Sequence, residues 1–480
     1  MKNYNNIRVL AVFFLSLGVL VFSACERDFS DDVEFATFPP NGDVFLDAFS
    51  AGLDYFPFVG AGADPEAFSV ETDEVFLGDA SMRFDVPAFG NGFVGATFNT
   101  TALRDLSGFD ALTFYAKASQ AASINSIGFG INEGTGNRYI TTVNGLNVST
   151  RWEKYVIPIP ESTNLTSELG LFWLAEGASF EGDEGGYVLF FDEVQFEKLG
   201  NVAQAQPSIF NGEDRVETSF IGSSITVTGL SQTFNLASGE NQTVEPAPAY
   251  FQFSSSDESV AIVSELGVVS IVGAGTAEIS AQLAGVRAQG SLTIESQGEF
   301  VAAPAPTRDP ANVISIFSDS YANVPVNFFN GFFDGQSTEG GALTIGDGIN
   351  ILQYTNLDFV ATEFTNPTVD ITQMTHIHVD IQVSELLQGG DNLVIELVDF
   401  GGNQTFDFGG DDSAGSATVN GSDLATNSWV GFDIPIASFT GPATGGAFSG
   451  GPNGANLAQI VFVSGSISDI LVDNIYFYRE

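Results

Sequence analysis

The sequence predicts an all-β chain of three β-sandwiches in a row. Three observations carry this. After residue 40 almost nothing shows helical periodicity; short apolar or alternating runs are broken by Gly, Asn, Asp and Pro about every 8–12 residues, the rhythm of strands in a sandwich. The length of 480 residues suits about three domains of roughly 150 residues each. Two stretches of the chain also repeat one plan, in the same order of blocks.

The first 24 residues stand apart. Lys2 and Arg8 give a positive start, and the apolar run Val9–Phe22 is short for a membrane span but fits a signal peptide. Phe22-Ser23-Ala24-Cys25 resembles a bacterial lipobox, with Phe where Leu is usual. The resemblance implies that Cys25 is acylated after cleavage and anchors the chain to the outer membrane without a spanning helix. The acidic stretch Glu26–Asp32, within a tether of residues 25–39, resembles the surface-export signal of Bacteroidetes lipoproteins, which implies exposure on the cell surface. Cys25 is the only cysteine, so there is no intrachain disulfide.

Charge narrows the partners. There are 14 Lys and Arg against 60 Asp and Glu, a net charge of −46. A field of that sign repels nucleic acid and anionic membrane surface, and it disfavours polyanionic glycans unless divalent cations bridge them. Neutral ligands and divalent cations are the compatible partners.

Linker-like stretches at 201–207 and 297–311 divide the remainder into segments 40–200, 208–296 and 312–480. The first and third segments are divergent copies. Residues 105–114 match 370–379. Trp152-Glu-Lys-Tyr155-Val-Ile157-Pro158-Ile159 matches Trp429-Val-Gly-Phe432-Asp-Ile434-Pro435-Ile436 at identical spacing. Leu169–Gly177 matches Leu457–Gly465, and Phe190–Lys198 matches Leu471–Arg479. Repetition on this scale indicates one structural unit used twice.

This plan resembles the jelly-roll carbohydrate-binding modules of bacterial glycan-degrading systems, most closely in the third segment, which is similar to a Bacteroidetes module found beside family 16 glucanases. The middle segment, with Ser255-Ser256-Asp257, Gly267-Val268 and Gly273-Ala274-Gly275-Thr276, resembles a group 2 bacterial Ig-like domain, which implies a spacer. Together these imply non-catalytic capture of a polysaccharide, a neutral β-glucan such as laminarin, for a SusC/SusD-type importer; the alternatives are a glycoside hydrolase or lyase acting on the same polysaccharide, and a structural or adhesive surface lipoprotein that binds no glycan.

Residues 190–198, Phe-Phe-Asp-Glu-Val-Gln-Phe-Glu-Lys, hold three carboxylates. They resemble the Glu-x-Asp-x-x-Glu signature of family 16 glycoside hydrolases. The central Asp is here Gln195, and the copy replaces Glu193 and Glu197 by Asn474 and Tyr478, so the stretch reads as a closing strand and not as a catalytic one. Side-chain alternation predicts Asp192 on the inward face with Val194 and Phe196, and Asp473 with Ile475 and Phe477. A buried carboxylate needs a partner. The resemblance implies a structural calcium between first and last strands, held by Asp47 with Asp192 and by Asp319 with Asp473. Acceptance of backbone N–H groups is the alternative.

His376 and His378, the only histidines, share one strand face that is expected to line a groove; a third ligand for zinc is not apparent. Trp152 and Trp429 occupy the same repeated position and read as scaffold. Trp173 aligns with Val461, opposite Phe172 and Leu174, and is expected to stack on sugar. Phe332, Phe333 and Tyr354 are further stacking candidates.

Overall fold

In a computed structural model, residues 41–132, 136–178, 185–331, 335–346, 348–407, 410–443, 448 and 450–480 are described. Cys25, the leader, Phe332 and Phe333 lie outside the described residues. The chain forms two compact units, Met1–Val202 and Ala203–Glu480.

The first unit has strands β1 (Asp43–Phe45), β2 (Leu53–Pro57), β3 (Phe68–Glu71), β4 (Ser81–Asp85), β5 (Val94–Arg104), β6 (Ala111–Ala118), β7 (Ala122–Phe129), β8 (Thr141–Val148), β9 (Glu153–Pro158), β10 (Glu168–Glu176) and β11 (Val188–Glu197). One sheet runs β3-β4-β11-β6-β9 with β1 on β11; the other runs β8-β7-β10-β5-β2. Beyond β4 most successive strands switch sheets, which is the jelly-roll form of sandwich. Alternating apolar residues of both sheets meet inside. Phe84, Phe98, Phe114, Phe172 and Phe191 interlock there, mostly edge to face, an arrangement aromatic quadrupoles favour.

The second unit opens with β12 (Ala203–Ser208), β13 (Asp214–Ser219), β14 (Ser224–Thr226), β15 (Ser231–Asn235), β16 (Asn241–Pro246), β17 (Gln252–Ser255), β18 (Ala261–Val263), β19 (Val268–Ile271), β20 (Gly275–Leu283), β21 (Val286–Arg287) and β22 (Ser291–Ser296). One sheet runs β13-β22-β20-β17 and another β14-β19-β18. β12 pairs with β15, so most of the stretch expected to be a linker at 201–207 is strand.

Then follow β23 (Val313–Phe317), β24 (Glu339–Ile345), β25 (Ile349–Thr355), β26 (Phe359–Glu363), β27 (His376–Val383), β28 (Asn392–Asp399), β29 (Ser413–Asn420), β30 (Val430–Pro435), β31 (Leu457–Ser464) and β32 (Ile470–Tyr478). Their sheets run β24-β25-β32-β27-β30, with β23 on β32, and β26-β31-β28-β29. Apart from β2, which has no counterpart, this repeats the strand order of the first unit. The blocks matched in sequence are β6 and β27, β9 and β30, β10 and β31, and β11 and β32.

One detail of the closing strands departs from simple alternation. Glu193 has φ 51° and Asn474 has φ 53°, and the register slips at both places. Each is a β-bulge, and a bulge inserts one residue into the count. Phe191 and Val194 therefore both face the core, although three positions separate them. Asp192 faces the other way, on the side of Phe190, which lies beside Arg83 and Lys117. The expectation that Asp192 and Asp473 point into the sandwich with Val194 and Ile475 is corrected by this bulge.

Candidate ligand-binding clefts

Asp192 is fully buried even on the outer side of its sheet, because the segment after β3 folds over it. Its Oδ2 accepts the backbone N–H groups of Phe76 (2.8 Å) and Leu77 (3.1 Å), and its Oδ1 that of Glu193 (2.7 Å). The Phe76 ring then stacks on Tyr115 at 3.7 Å between centroids. Asp47 Oδ1 accepts from Asp79 and Ala80. Burial pushes the Asp192 carboxyl up, the three N–H donors oppose that, and the nearby Asp47 charge adds to the rise.

The two aspartates are thus brought together as expected, but N–H groups aim at their oxygens where a calcium ion would repel them. The donor set at this pair fits hydrogen-bond acceptance and not a cation. The copy differs. Asp319 accepts from the backbone and side chain of Asn350. Asp473, 5 % exposed, accepts only the N–H of Asn474 among the bonds seen. Burial, against that N–H and with the charges of Asp319 and Asp380 adding, pushes Asp473 up to about 7. A proton therefore relieves this site. Among the described residues no group of three or more His, Cys, Asp or Glu side chains is placed to hold a metal.

Glu193 and Glu197 are pushed in opposite directions. Burial and the Asp192 charge raise Glu193. Burial acts upward on Glu197 too, but the Lys154 ammonium and the Thr113 hydroxyl outweigh it. Such splitting marks many acid–base pairs. Here Glu197 is instead held in an ion pair with Lys154 (2.5 Å) and a bond from Thr113 (2.6 Å). Neither glutamate lines any of the clefts described below.

The sugar-stacking expectations fare differently from one another. Trp173 does lie opposite Phe172 and Leu174, but it is 7 % exposed. It sits mid-sheet, in register with Gly128 and Thr97, and the chain around Ile131 folds over this face, its carbonyl accepting the Thr97 hydroxyl. A buried ring offers no stacking platform. Tyr354 is fully buried in the third sandwich, its hydroxyl donating to the Phe329 carbonyl at 2.7 Å; it is core.

His376 and His378 share an outer face, where they stack on Tyr478 and Tyr476. His378 Nδ1 pairs with Asp433 at 3.0 Å and Nε2 lies 3.5 Å from Asp380. Burial pulls the imidazole down, yet these two carboxylates outweigh it and raise it overall. The stretch read as a Pro/Ala linker, 297–311, lies along this face. Trp429 Nε1 donates to the Val301 carbonyl at 2.7 Å, Asn474 donates to the Pro304 carbonyl, and the Arg308 guanidinium sits 3.4 Å over the Tyr478 ring. His378 lines a cleft of about 510 Å³ whose other wall is this stretch, residues 304–308.

Sequence reasoning missed the other clefts. One, of about 740 Å³, lies at the rim of the first sandwich, between the ends of β7, β8 and β10 and the start of β9. Ser123, Asn125, Asn147, Ser149, Glu153, Tyr155 and Tyr187 line it, with no Lys or Arg. Tyr155 is stacked on core Phe114, and Tyr187 donates to Glu176, so both phenols are held in place. The sequence showed Tyr155 only as a match to Phe432 in a repeated strand. The other lining residues come from four separate segments that no spacing connects.

The sequence matches no protein-family model and no curated protein. Among solved structures it is similar to a family 11 carbohydrate-binding module from Clostridium thermocellum in complex with a β-1,3-1,4-mixed-linked tetrasaccharide, at 17 % identity over 35 % of this chain and 96 % of that one, TM-score 0.26. It is also similar to the family 30 module of a cellulosomal cellulase from the same organism, at 18 % identity over 35 % and 98 %, TM-score 0.25. A β-1,2-glucanase from Parabacteroides distasonis matches at 12 % identity over 55 % and 40 %, TM-score 0.25. Scores of this size carry no functional conclusion.

Proposed function

We propose that this chain is a non-catalytic polysaccharide-binding protein whose ligand is a neutral glucan. The observation that carries the reading is the rim cleft of the first sandwich. The half-buried Tyr155, two amides, hydroxyls and two carboxylates, Glu153 and Glu176, face a volume within the range of small-ligand sites. That set suits sugar hydroxyls and the apolar faces of pyranose rings. No cationic side chain lines it to hold an anionic glycan, and the net charge of −46 opposes one.

The wider setting is part of the proposal. Cys25 carries the lipid, the chain stands on the outer-membrane surface, and it passes laminarin or a related β-glucan to a SusC/SusD-type importer. The middle segment is an Ig-like domain.

The test is affinity electrophoresis of the full chain in gels of laminarin, mixed-linkage glucan, alginate and sulfated glycans, with reducing-sugar release measured in parallel. Retardation by a neutral glucan without release is expected. Release of reducing ends, or retardation only by the anionic glycans, overturns the reading.

A further inference from the structure

The middle segment is not hung on a loose tether. Phe220, between its strands β13 and β14, is buried with Ile345, Ile351 and Leu471 of the third sandwich. The Gly222 carbonyl accepts the Gly346 N–H at 2.9 Å, and the Thr218 carbonyl accepts Gln353 Nε2 at 2.9 Å. An apolar plug flanked by one backbone bond and one side-chain bond fixes one body against the other. The surface between them is therefore a defined shape, and it is concave.

A cleft of about 650 Å³ opens there, with β13 residues 216–218 on one wall and the β24–β25 hairpin on the other. It adjoins a second of about 770 Å³, and Asn330, Glu339 and Asn356 line both. Two glycines at positive φ, Gly340 (98°) and Gly341 (153°), stand in the floor strand; a Cβ on Gly340 would lie 2.1 Å from the Gln353 carbonyl oxygen, so glycine is needed there for β24 to pair with β25.

The lining chemistry is carboxylate, amide and hydroxyl, without Lys or Arg in either cleft. Glu217 of the middle segment keeps an exposed side chain, yet partial desolvation raises it; the Glu339 charge from the sandwich adds to the rise and Arg215 opposes it. Neutral hydroxyls donating to both carboxylates would relieve that repulsion; an anion would worsen it. A divalent cation would need a tight oxygen cage, and no such grouping of acidic side chains is present among the described residues. Two adjoining clefts also exceed what an ion or a single sugar fills.

We infer that the middle segment and the third sandwich together form one groove for several consecutive units of a neutral polysaccharide. The middle segment then supplies one wall of a second binding site and is not a spacer. The inference rests on the glucan-binding reading above. Two sites on one chain would raise the retention of a repeating polymer well above that of either alone.

The test uses the full chain with laminarin as probe. Hydrogen exchange is followed with and without laminarin, and with calcium chloride alone. Slower exchange at 216–218 and at 339–343 with laminarin is expected. Ala342→Trp, which fills the groove from an exposed strand position, should abolish that protection and weaken retention about tenfold or more. Glu339→Ala, also at an exposed position, should weaken retention while melting like the wild type. Retention by laminarin with protection confined to the first sandwich sinks the groove but leaves the glucan-binding reading standing. Protection of 216–218 by calcium alone also sinks it. No retention of the full chain by laminarin removes both.

Discussion

Replacing Asp473 by Asn should stabilise the protein at neutral and alkaline pH. The carboxyl is 5 % exposed and its pKa is pushed up to about 7. From the ordinary value of 3.8 that is a rise of about three pH units, worth about 4 kcal/mol at most. The folded state holds this proton more tightly than the unfolded chain does. The stability it contributes is therefore fully present below about pH 4 and lost as pH rises to about 7. The introduced amide would keep an oxygen to accept the Asn474 N–H, remove the charge, and offer N–H donors to the neighbouring carboxylates. The gain over wild type should grow with pH and level off above about pH 7 at roughly 2–4 kcal/mol. Urea unfolding of both proteins at pH 5, 6, 7 and 8, with EGTA present, measures it. His378, whose pKa is also raised, makes the wild type lose stability in the same direction above about pH 6.5. Taking the difference between the two proteins isolates Asp473. A bound calcium inverts the sign: the site then needs the carboxylate, and Asp473→Asn destabilises at pH 8 in calcium buffer. A loss of stability at pH 8 with EGTA present, or a difference that does not change with pH, refutes the protonated-carboxyl reasoning.

Three further outcomes are expected. Asp192→Ala strands the partly buried N–H groups of Phe76 and Leu77 and should cost about 2 kcal/mol, read as a lowered urea midpoint; a loss below about 1 kcal/mol would mean that water replaces the carboxylate. Gly128→Ala places a Cβ 1.9 Å from the Thr141 carbonyl oxygen and should cost about 3 kcal/mol by forcing β7 and β8 apart; an unchanged melting temperature contradicts that packing. Trp429→Phe removes the bond to the Val301 carbonyl, worth about 1 kcal/mol, so proteolysis within 301–307 should quicken about fivefold while global melting barely moves.

Much of the fold was legible because its signals are local or repeated. Glycine and asparagine breaks at short spacing allow nothing but short strands, and the Trp152 and Trp429 blocks align without a gap. The strand orders of the two sandwiches agree with that alignment. The face assignments were partly legible. Trp173 is opposite Phe172 and Leu174 as alternation requires, but alternation failed at Glu193 and Asn474. The residue pair Asp-Glu in one copy and Asp-Asn in the other was the available hint, since Asn tolerates positive φ better than most residues.

The sequence by itself determined the class of fold, the duplication and the acidic, lysine-poor surface that limits the partners. These follow from composition and periodicity, which each segment carries within itself. Only the tertiary structure decided which polar groups are open. Trp173 is buried in mid-sheet and Tyr354 is core, while His378, Tyr155, Glu217 and Glu339 line clefts. Exposure depends on what distant segments fold over a residue, and contacts across more than a hundred positions, such as Phe220 on Leu471 or Trp429 on Val301, leave no spacing in the chain to read.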